Sequence, residues 1–311
     1  MRALVFTGPG VVELQDVTIP EPDTNDVLLS VRASGICGSE LHGFRSVGFR
    51  TPPLIMGHEF AGVTADGRRV VVNPLVSCGK CDLCRRGAPQ VCRVRELFGV
   101  QRPGGFAQWV VVPESTLHEL PADMAWEVAA LVEPLANAVH AWNQVELSGG
   151  DRVAVIGAGA IGLVTLLAAQ QRGVGDVTVV DRSPARLDLA ARLGASSCDI
   201  ELRGEFDVVI DAVGAAATRA ASVAMLRPAG TAVWLGLAEP DSGFDGNGLV
   251  RGEKRVLGSF AYTPADFATA LGQAQQLDLG WATPIALEDS QQVFMRLAEG
   301  ATEPVKAVIR L

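Results

Sequence analysis

An α/β fold in two parts is the architecture that this sequence predicts, and three observations indicate it. The chain has 311 residues, 48% of them hydrophobic and 20% charged, which fits two globular domains better than a single core. Residues 1–34 alternate short apolar runs with turn signals, as β-hairpins do. Residues 151–181 instead run from strand to helix to strand, which is typical of a parallel sheet covered by helices.

Further strands are predicted in the first part of the chain. In residues 61–75, Asp66 and Gly67 form a tight turn between two apolar runs. Residues 104–113 add another strand, which ends at Pro113. A β-rich, barrel-like first domain is therefore expected.

Side chains able to bind a metal are concentrated between Gly35 and Gly62. The polar side chains of this stretch are Cys37, Ser39, Glu40, His42, His58 and Glu59. Cysteine sulfur, imidazole nitrogen and carboxylate oxygen together suit Zn²⁺. A single Cys, His or Glu is more often a packed or solvated residue, and the string GHE alone has little specificity. The combination predicts a catalytic zinc site, with the remaining chain as its scaffold and cofactor domain.

Four of the six cysteines lie within fifteen residues, in the spacing C-x2-C-x2-C-x7-C. They are Cys78, Cys81, Cys84 and Cys92. Four thiolates can close a tetrahedral shell with no open position, which is the structural type of zinc site. Without a secretion signal such a cluster favours metal over disulfides, and the usual ferredoxin spacings differ from this one. A structural zinc site is predicted.

A helix is expected to follow Pro121, because apolar residues recur there at helical spacing. Glu133 and Pro134 interrupt its apolar face. A carboxylate beside an apolar stripe is costly unless it is paired or ligates a metal. A partly exposed glutamate at a helix break is an equally good reading of Glu133.

A dinucleotide-binding fingerprint, GxGxxG, occupies residues 157–162 in its required context. The strand VAVI precedes it, and a helix and a second strand that ends at Asp181 follow. Gly157 permits the tight turn, Gly159 lets the backbone approach a pyrophosphate, and Gly162 allows close packing of helix and strand. The helix N-terminus attracts the phosphates. This pattern predicts a Rossmann domain.

NAD is the predicted cofactor. Asp181 lies nineteen residues after Gly162, near the spacing expected for the carboxylate that binds the adenosine ribose. Its charge would repel the 2′-phosphate of NADP. Arg182 and Arg186 follow closely and could accommodate such a phosphate, which keeps NADP as the less favoured alternative.

The second half of this domain is predicted to contain further parallel strands at 206–214, 230–237 and 255–262. The link from Ala195 to Phe206 is short for a crossover between parallel strands. Either one strand is lost or the crossover is an irregular loop. Two amphipathic helices and a final strand after Tyr262 are expected to fold back on the first domain.

The order of these motifs resembles that of the zinc-dependent medium-chain alcohol dehydrogenases, over nearly the whole chain. The matching segments are GICGSELH, GHEFAG, the four-cysteine loop, EPLANAVH, VAVIGAGAIG, VVDRSPARL and GSFAYTPADF. The sorbitol, threonine and butanediol dehydrogenase branch is the most similar. The resemblance implies a discontinuous GroES-like catalytic domain at 1–140 and 262–311, a Rossmann domain at 141–261, and an active site between them.

The resemblance also implies roles for single residues. Cys37 and His58 would ligate the catalytic zinc, Glu59 would be a ligand or near-ligand with a catalytic part, and Glu133 would supply a further ligand. Ser39 and His42 would relay the hydroxyl proton to solvent. The implied cofactor-binding residues are Gly157, Gly159, Ile161, Gly162, Asp181, Arg186, Leu235, Gly236 and Leu237.

Three positions depart from the family pattern. Glu40 replaces the usual aspartate of the CG[ST]D motif, Gly43 replaces an aromatic residue, and Ala261 replaces an arginine. The last two changes would remove contacts to a polyol.

The leading hypothesis is an NAD-dependent zinc dehydrogenase of a secondary alcohol, diol or sugar-like substrate. The alternatives are an NADPH-dependent carbonyl reductase and a catalytically idle dinucleotide-binding protein, although the latter would have lost a ligand or the relay.

Net charge and hydropathy bear on partners and location. A net charge of −9 and a pI near 5.0 disfavour nucleic acid, including a reading of the four cysteines as a nucleic-acid module. The sequence has no long apolar run and no recognisable leader, so we expect no membrane partner and a cytoplasmic location. A homodimer or homotetramer is expected from the family.

Overall fold

The computed structural model describes residues 1–148 and 150–311. It divides the chain into two compact units. The first unit is discontinuous and comprises Met1–Glu133 and Thr263–Leu311, and the second comprises Pro134–Tyr262.

Eighteen strands are present within the described residues. They are β1 (Arg2–Gly8), β2 (Val11–Asp16), β3 (Asp26–Gly35), β4 (Leu54–Ile55), β5 (Glu59–Thr64), β6 (Arg69–Val72), β7 (Leu75–Val76), β8 (Glu96–Leu97), β9 (Trp109–Pro113), β10 (Leu117–Glu119), β11 (Arg152–Ile156), β12 (Asp176–Val180), β13 (Ser197–Asp199), β14 (Phe206–Asp211), β15 (Leu226–Trp234), β16 (Arg255–Gly258), β17 (Thr283–Ala286) and β18 (Ala307–Arg310).

Ten α-helices accompany the strands in the same described part of the chain. They are α1 (Gly38–Gly43), α2 (Asp82–Arg85), α3 (Trp126–Ala130), α4 (Val132–Asn143), α5 (Ala160–Gln171), α6 (Pro184–Arg192), α7 (Ala216–Ala224), α8 (Gly246–Arg251), α9 (Pro264–Ala274) and α10 (Ser290–Ala298). Short 3-10 helices occupy Pro89–Val91, Glu114–Thr116 and Leu287–Asp289. The longest α-helices, α4 and α5, have 12 residues each, so no described helix reaches the length of about 20 residues that a bilayer span needs.

The first unit is built on a seven-stranded sheet in the order β10-β6-β5-β3-β18-β17, with β9 also paired to β3. The C-terminal strand β18 runs antiparallel to β3, so residues 307–310 are part of this unit. A three-stranded sheet, β2-β1-β4, lies in the same unit. The predicted turn at Asp66-Gly67 joins β5 to β6, and β9 ends at Pro113.

Aromatic packing holds α1, which bears several predicted site residues, within the first unit. Phe44, at the end of α1, meets Phe294 of α10 edge-on with ring centroids 5.2 Å apart. Both rings are buried in a cluster that includes Phe106. Burying rings of this size stabilises the position of α1.

The second unit contains a six-stranded parallel sheet in the order β13-β12-β11-β14-β15-β16. The order reverses at β11, between β12 and β14, which is the arrangement of a Rossmann fold and places the ligand-binding crevice at the carboxyl ends of these strands. The α/β architecture predicted from the sequence is confirmed.

Of the two alternatives for the short link after Ala195, a lost strand or an irregular crossover, the structure shows the irregular crossover. The strand in question is kept, as the three-residue β13 beside β12. Residues 200–205 then lead to β14 without a helix. A strand this short leaves six residues of connection, which suffice when fully extended.

The region predicted as one helix after Pro121 forms two helices, α3 and α4. The interruption comes at Leu131, between α3 and α4, and not at Glu133 and Pro134. Pro134 is the third residue of α4, where a missing backbone N–H costs nothing because the first turn has no intrahelical acceptor.

Candidate active site and metal centres

Cys37, His58 and Glu59 converge in the first unit. One ligand atom from each lies within 4.8 Å of the other two. Cys37 precedes α1, while His58 and Glu59 are at the start of β5. Zinc bonds of about 2.0–2.3 Å separate tetrahedral ligand atoms by ~3.3–3.8 Å, so small side-chain shifts would bring this set onto one ion. The donors therefore fit zinc, and Cys37 is partly exposed, as an open coordination position requires.

Two glycines make this convergence sterically possible. Gly57 has φ +97°, and a Cβ there would lie 2.8 Å from the backbone nitrogen of Phe106. A Cβ on Gly35 would overlap the carboxylate of Glu59. The glycines that frame the predicted site thus allow close approach of the chain.

Glu40 connects the two segments that supply the ligands. Its Oε2 accepts a hydrogen bond from the backbone N–H of Cys37 at 3.0 Å, and its Oε1 accepts one from Gly57 N–H at 2.8 Å. The same Oε1 lies 3.0 Å from Nδ1 of His58. A carboxylate on Nδ1 leaves Nε2 for the metal and fixes the ring orientation. Glu40 also closes the first turn of α1 from its third position, as glutamate does in a capping box.

Electrostatics make Glu40 and His58 an ion pair in the metal-free protein. Burial alone would raise the pKa of Glu40, but the nearby His58 and Arg50 charges lower it overall. Burial would lower the pKa of His58, but Glu40 and Cys37 raise it well above the ordinary value. Zinc needs the neutral ring, so metal binding must displace this proton.

Glu59 is held by a lysine from the C-terminal part of the chain. Lys306, 2% exposed, forms an ion pair with Glu59 and donates to the carbonyl of Ile36 at 3.0 Å. Burial lowers the pKa of Lys306, but Glu59 and Cys37 outweigh it and raise the pKa. Lys306 does not stand out in the sequence, because a lysine before a final strand looks like an ordinary edge residue.

The other residues predicted for this site, Ser39, His42 and Glu133, are not part of the group formed by Cys37, His58 and Glu59. The hydroxyl of Ser39 donates to the sulfur of Cys37 at 3.4 Å. Ser39 and His42 are both exposed on α1, and no described hydrogen bond joins them. Glu133 is buried on α4, and it is outside the group of donors that lie within 4.8 Å.

The four-cysteine loop brings its sulfurs together as predicted. The six distances between them include 3.5 Å for Cys81–Cys84 and Cys78–Cys92, 3.8 Å for Cys81–Cys92 and 3.9 Å for Cys78–Cys84. A tetrahedral zinc ion with Zn–S bonds of about 2.3 Å sets sulfur separations of ~3.8 Å, whereas a disulfide would be near 2 Å. The loop therefore fits a zinc ion.

The thiols of this loop differ in acidity. Backbone N–H groups of Lys80 and Cys81 lower the pKa of Cys78 to about 6. Burial and the neighbouring sulfurs raise the pKa of Cys84 to about 11. In the metal-free loop, Cys78 therefore becomes a thiolate at lower pH than Cys84.

In the second unit, the glycine-rich turn between β11 and α5 has the geometry expected of it. Gly157 has φ +97°, and a Cβ on Gly162 would overlap the carbonyl of Gly157. Gly159 is the N-cap of α5, and Ile161 lies in its first turn. The turn leaves the N-terminus of α5 open to a phosphate.

Asp181 lies beside this turn at the end of β12. Its Oδ2 accepts the N–H of Ala158 at 2.8 Å and is 3.9 Å from Nη1 of Arg186. Asp181 and Arg186 are therefore neighbours, as both predicted cofactor roles require. Arg182 is exposed.

The segments that follow β14 and β15 form a second close contact in this unit. Gly214 and Gly236 approach so closely that a Cβ on either would overlap the backbone of the other segment. The predicted cofactor residues Leu235, Gly236 and Leu237 begin the loop after β15, and Leu237 is 77% exposed. Arg219 holds this loop, donating to the carbonyls of Glu239 at 2.7 Å and Gly236 at 3.2 Å.

Comparison with known proteins agrees with this geometry. Residues 23–122 match the alcohol dehydrogenase GroES-like domain, and residues 160–276 match the zinc-binding dehydrogenase family. L-galactonate-5-dehydrogenase of Escherichia coli K12 is 32% identical over 86% of this chain and 85% of its own length. The chain belongs to the zinc-dependent medium-chain dehydrogenase family.

Other proteins are also similar to this chain in sequence or in structure. L-threonine 3-dehydrogenase of Rhizobium etli is 39% identical over 62% of this chain, and the match spans 60% of that protein's length. A Sinorhizobium meliloti 1021 protein with bound NADP superposes with a TM-score of 0.93 at 29% identity, covering 100% of this chain and 99% of that one. Acetophenone reductase of Geotrichum candidum with NAD gives 0.91 at 25% identity, covering 100% and 98%.

Family membership gives the departures at α1 a structural meaning. Where the family pattern has aspartate, Glu40 is long enough to reach Cys37 N–H, Gly57 N–H and His58 together. Gly43 lies against the guanidinium of Arg50. The sequence motif alone predicted loss of contacts at Gly43 and did not indicate that a buried arginine takes up the space.

Proposed function

We propose that this protein is an NAD-dependent zinc oxidoreductase that transfers hydride between a secondary alcohol, diol or sugar-like substrate and NAD. The observation that supports it most is the convergence of Cys37, His58 and Glu59 within 4.8 Å beside the exposed hydroxyl of Ser39. The names of two similar proteins, L-threonine 3-dehydrogenase and L-galactonate-5-dehydrogenase, indicate secondary alcohols as their substrates, which agrees with this class.

The proposed metal complement is two zinc ions per chain. Cys37, His58 and Glu59 would hold the catalytic ion, with Glu133 as a further ligand, and the four-cysteine loop would hold a structural one. The catalytic ion would supply Lewis acidity towards the alcohol oxygen when bound, and NAD would accept the hydride.

The protein's own residues then have three tasks. Glu40 keeps His58 in the tautomer with Nδ1–H, so that Nε2 faces the metal. Lys306 restrains the carboxylate of Glu59, which sets how closely it approaches the metal. Ser39 and His42 would carry the hydroxyl proton towards solvent, since both are exposed on α1.

NADPH-dependent reduction of a carbonyl compound is the second candidate. Arg186, 3.9 Å from Asp181, could face a 2′-phosphate, and the similar Sinorhizobium meliloti structure contains NADP. The carboxylate of Asp181 favours NAD, because it would repel that phosphate.

A substrate screen tests the proposal directly. Zinc-loaded protein would be mixed with NAD or NADP and a panel of diols, polyols, sugar alcohols and hydroxy-amino acids, with NADH absorbance as the signal. We expect NAD reduction with at least one secondary alcohol and its loss in Cys37→Ala, while Cys198→Ala, a cysteine remote in sequence from both predicted metal sites, keeps it. Activity that survives in Cys37→Ala would contradict the proposal.

A further inference from the structure

Arg50 is buried in a segment whose neighbours are exposed. It is 1% exposed, whereas the preceding residues 45–49 all lie at the surface. The segment joins α1 to β4, within the first unit. Arginine is almost never fully buried unless it is paired, so its partners indicate what it does.

Those partners connect α1 to the turn after β8. Nη1 of Arg50 donates to the carbonyl of Ser39 at 3.0 Å, and Nε donates to the carbonyl of Gly99 at 2.9 Å. Among the described residues, Nη2 has no hydrogen-bond partner although it is buried. An unpaired buried donor destabilises the folded protein, so burial of the full cation comes at a cost to folding.

The absence of a side chain at Gly43 leaves the space that the Arg50 guanidinium occupies. A Cβ at residue 43 would overlap Nη1 of Arg50 and lie 3.4 Å from its Cζ. The departure at Gly43 and the burial of Arg50 are therefore one structural feature. Replacing either residue should affect the other.

Arg50 also lies near Glu40, because it bonds the carbonyl of the preceding residue, Ser39, and its charge acts on the Glu40 carboxylate. The Glu40 carboxylate is 0% exposed and accepts hydrogen bonds from Cys37, Gly57 and His58. Burying a carboxylate is costly unless a cation lies near it. Arg50 is one of the cations whose charge acts on this carboxylate.

We propose that Arg50 is a positioning residue for the catalytic metal site. Its guanidinium ties α1 to the turn at Gly99 and offsets the Glu40 charge, and Glu40 in turn holds Cys37 and His58 at metal-binding separation. The inference rests on the proposed zinc site at Cys37 and His58. A purely structural arginine would stabilise the loop and leave metal affinity unchanged.

The test measures zinc affinity of the metal-free protein by chelator competition, together with the absorption spectrum of the cobalt-substituted site. Arg50→Met should weaken zinc binding at the catalytic site roughly 10–100-fold, the usual cost of losing an outer partner of a metal ligand, and should alter the cobalt bands. Binding at the four-cysteine loop should not change. Arg50→Lys should recover only part of the affinity, because lysine cannot donate to both carbonyls in a fixed fork.

Gly43→Ala provides a second route that keeps Arg50. It should weaken zinc binding to a similar extent in the native background and have little further effect in Arg50→Met, where the guanidinium is gone. Arg45→Met, in the same loop but bonded to the carbonyl of Ala298, is the matched control and should bind zinc normally.

The outcomes separate this inference from the proposed function. If the native protein binds no zinc through Cys37, both fail. If it binds zinc there and Arg50→Met has native affinity and cobalt spectrum, only the role of Arg50 is overturned. Should Arg50→Met not fold, Gly43→Ala decides alone, and native zinc affinity in it would overturn the inference.

Discussion

At the scale of single residues, Glu40 connects the two segments that supply the proposed zinc ligands. The longer side chain bonds the N–H groups of Cys37 and Gly57 while it also contacts His58. The resulting ion pair with His58 is buried, so its protonation is coupled to metal uptake.

Zinc binding through His58 should therefore depend on pH above the ordinary imidazole range. The pKa of His58 is raised against its burial by Glu40 and Cys37, and zinc requires the neutral ring. Affinity should fall as pH drops through this raised pKa. In Glu40→Gln, which has no charge, the fall should begin at lower pH, and affinity at high pH should be roughly 10-fold weaker. Chelator competition from about pH 6 to about pH 9 measures both, and identical pH profiles would contradict the account.

Asp181 sets the expected preference between cofactors. Asp181→Ala removes the charge that repels a 2′-phosphate, so the NAD/NADP ratio of kcat/KM should fall by about tenfold, or ~1.4 kcal/mol. Asp181→Asn is the matched variant, since its amide oxygen can still accept from Ala158 N–H. An unchanged ratio in both variants would remove Asp181 from this role.

At the scale of elements, long periodic segments were predictable and short ones were not. The two strands β11 and β12, the helix α5 between them and the helices α9 and α10 follow clear periodicities, and all five are present. Two-residue strands such as β4 and β7 are too short to show a period, and they form only because neighbouring chain is brought alongside.

The candidate site was predictable from the sequence only in part. Cys37, His58 and the four-cysteine loop have residue types and spacings that chance seldom produces. Lys306, Arg50 and Arg219 are ordinary cations in sequence. Their importance arises from burial, which depends on strands and loops distant along the chain.

The four-cysteine loop should show ordered reactivity once zinc is removed. Because the pKa of Cys78 is lowered to about 6 and that of Cys84 is raised to about 11, Cys78 is largely a thiolate near neutral pH and Cys84 is a thiol. Brief alkylation of the metal-free protein followed by mass spectrometry should find Cys78 modified before Cys84. Zinc should protect both. Equal rates at the two sulfurs would contradict the prediction.

The loop after β15 depends on Arg219. Its guanidinium bonds carbonyls of Gly236 and Glu239, next to the residues predicted to contact the cofactor. Arg219→Met should loosen the loop and weaken NADH binding about tenfold, ~1.4 kcal/mol, without affecting zinc content. Fluorescence titration with NADH measures this, with the exposed Arg203→Met as control. Native NADH affinity in Arg219→Met would show that the loop needs no such support.

At the scale of the whole molecule, each unit supplies a separate part of the proposed activity. The first contains both groups of candidate metal ligands, and the second contains the glycine-rich turn and Asp181. The family pattern assigns these parts to metal and cofactor, and the local geometry of each unit fits that assignment. The catalytic zinc site is the central claim, because without it the protein would have a structural metal and a nucleotide fold but no means of activating an alcohol.

Metal analysis of the purified protein tests this claim most directly. We expect about two zinc ions per chain in the native protein and about one in Cys37→Ala, since the four-cysteine loop keeps its own ion. A single zinc ion in the native protein that is fully retained in Cys37→Ala would contradict the account.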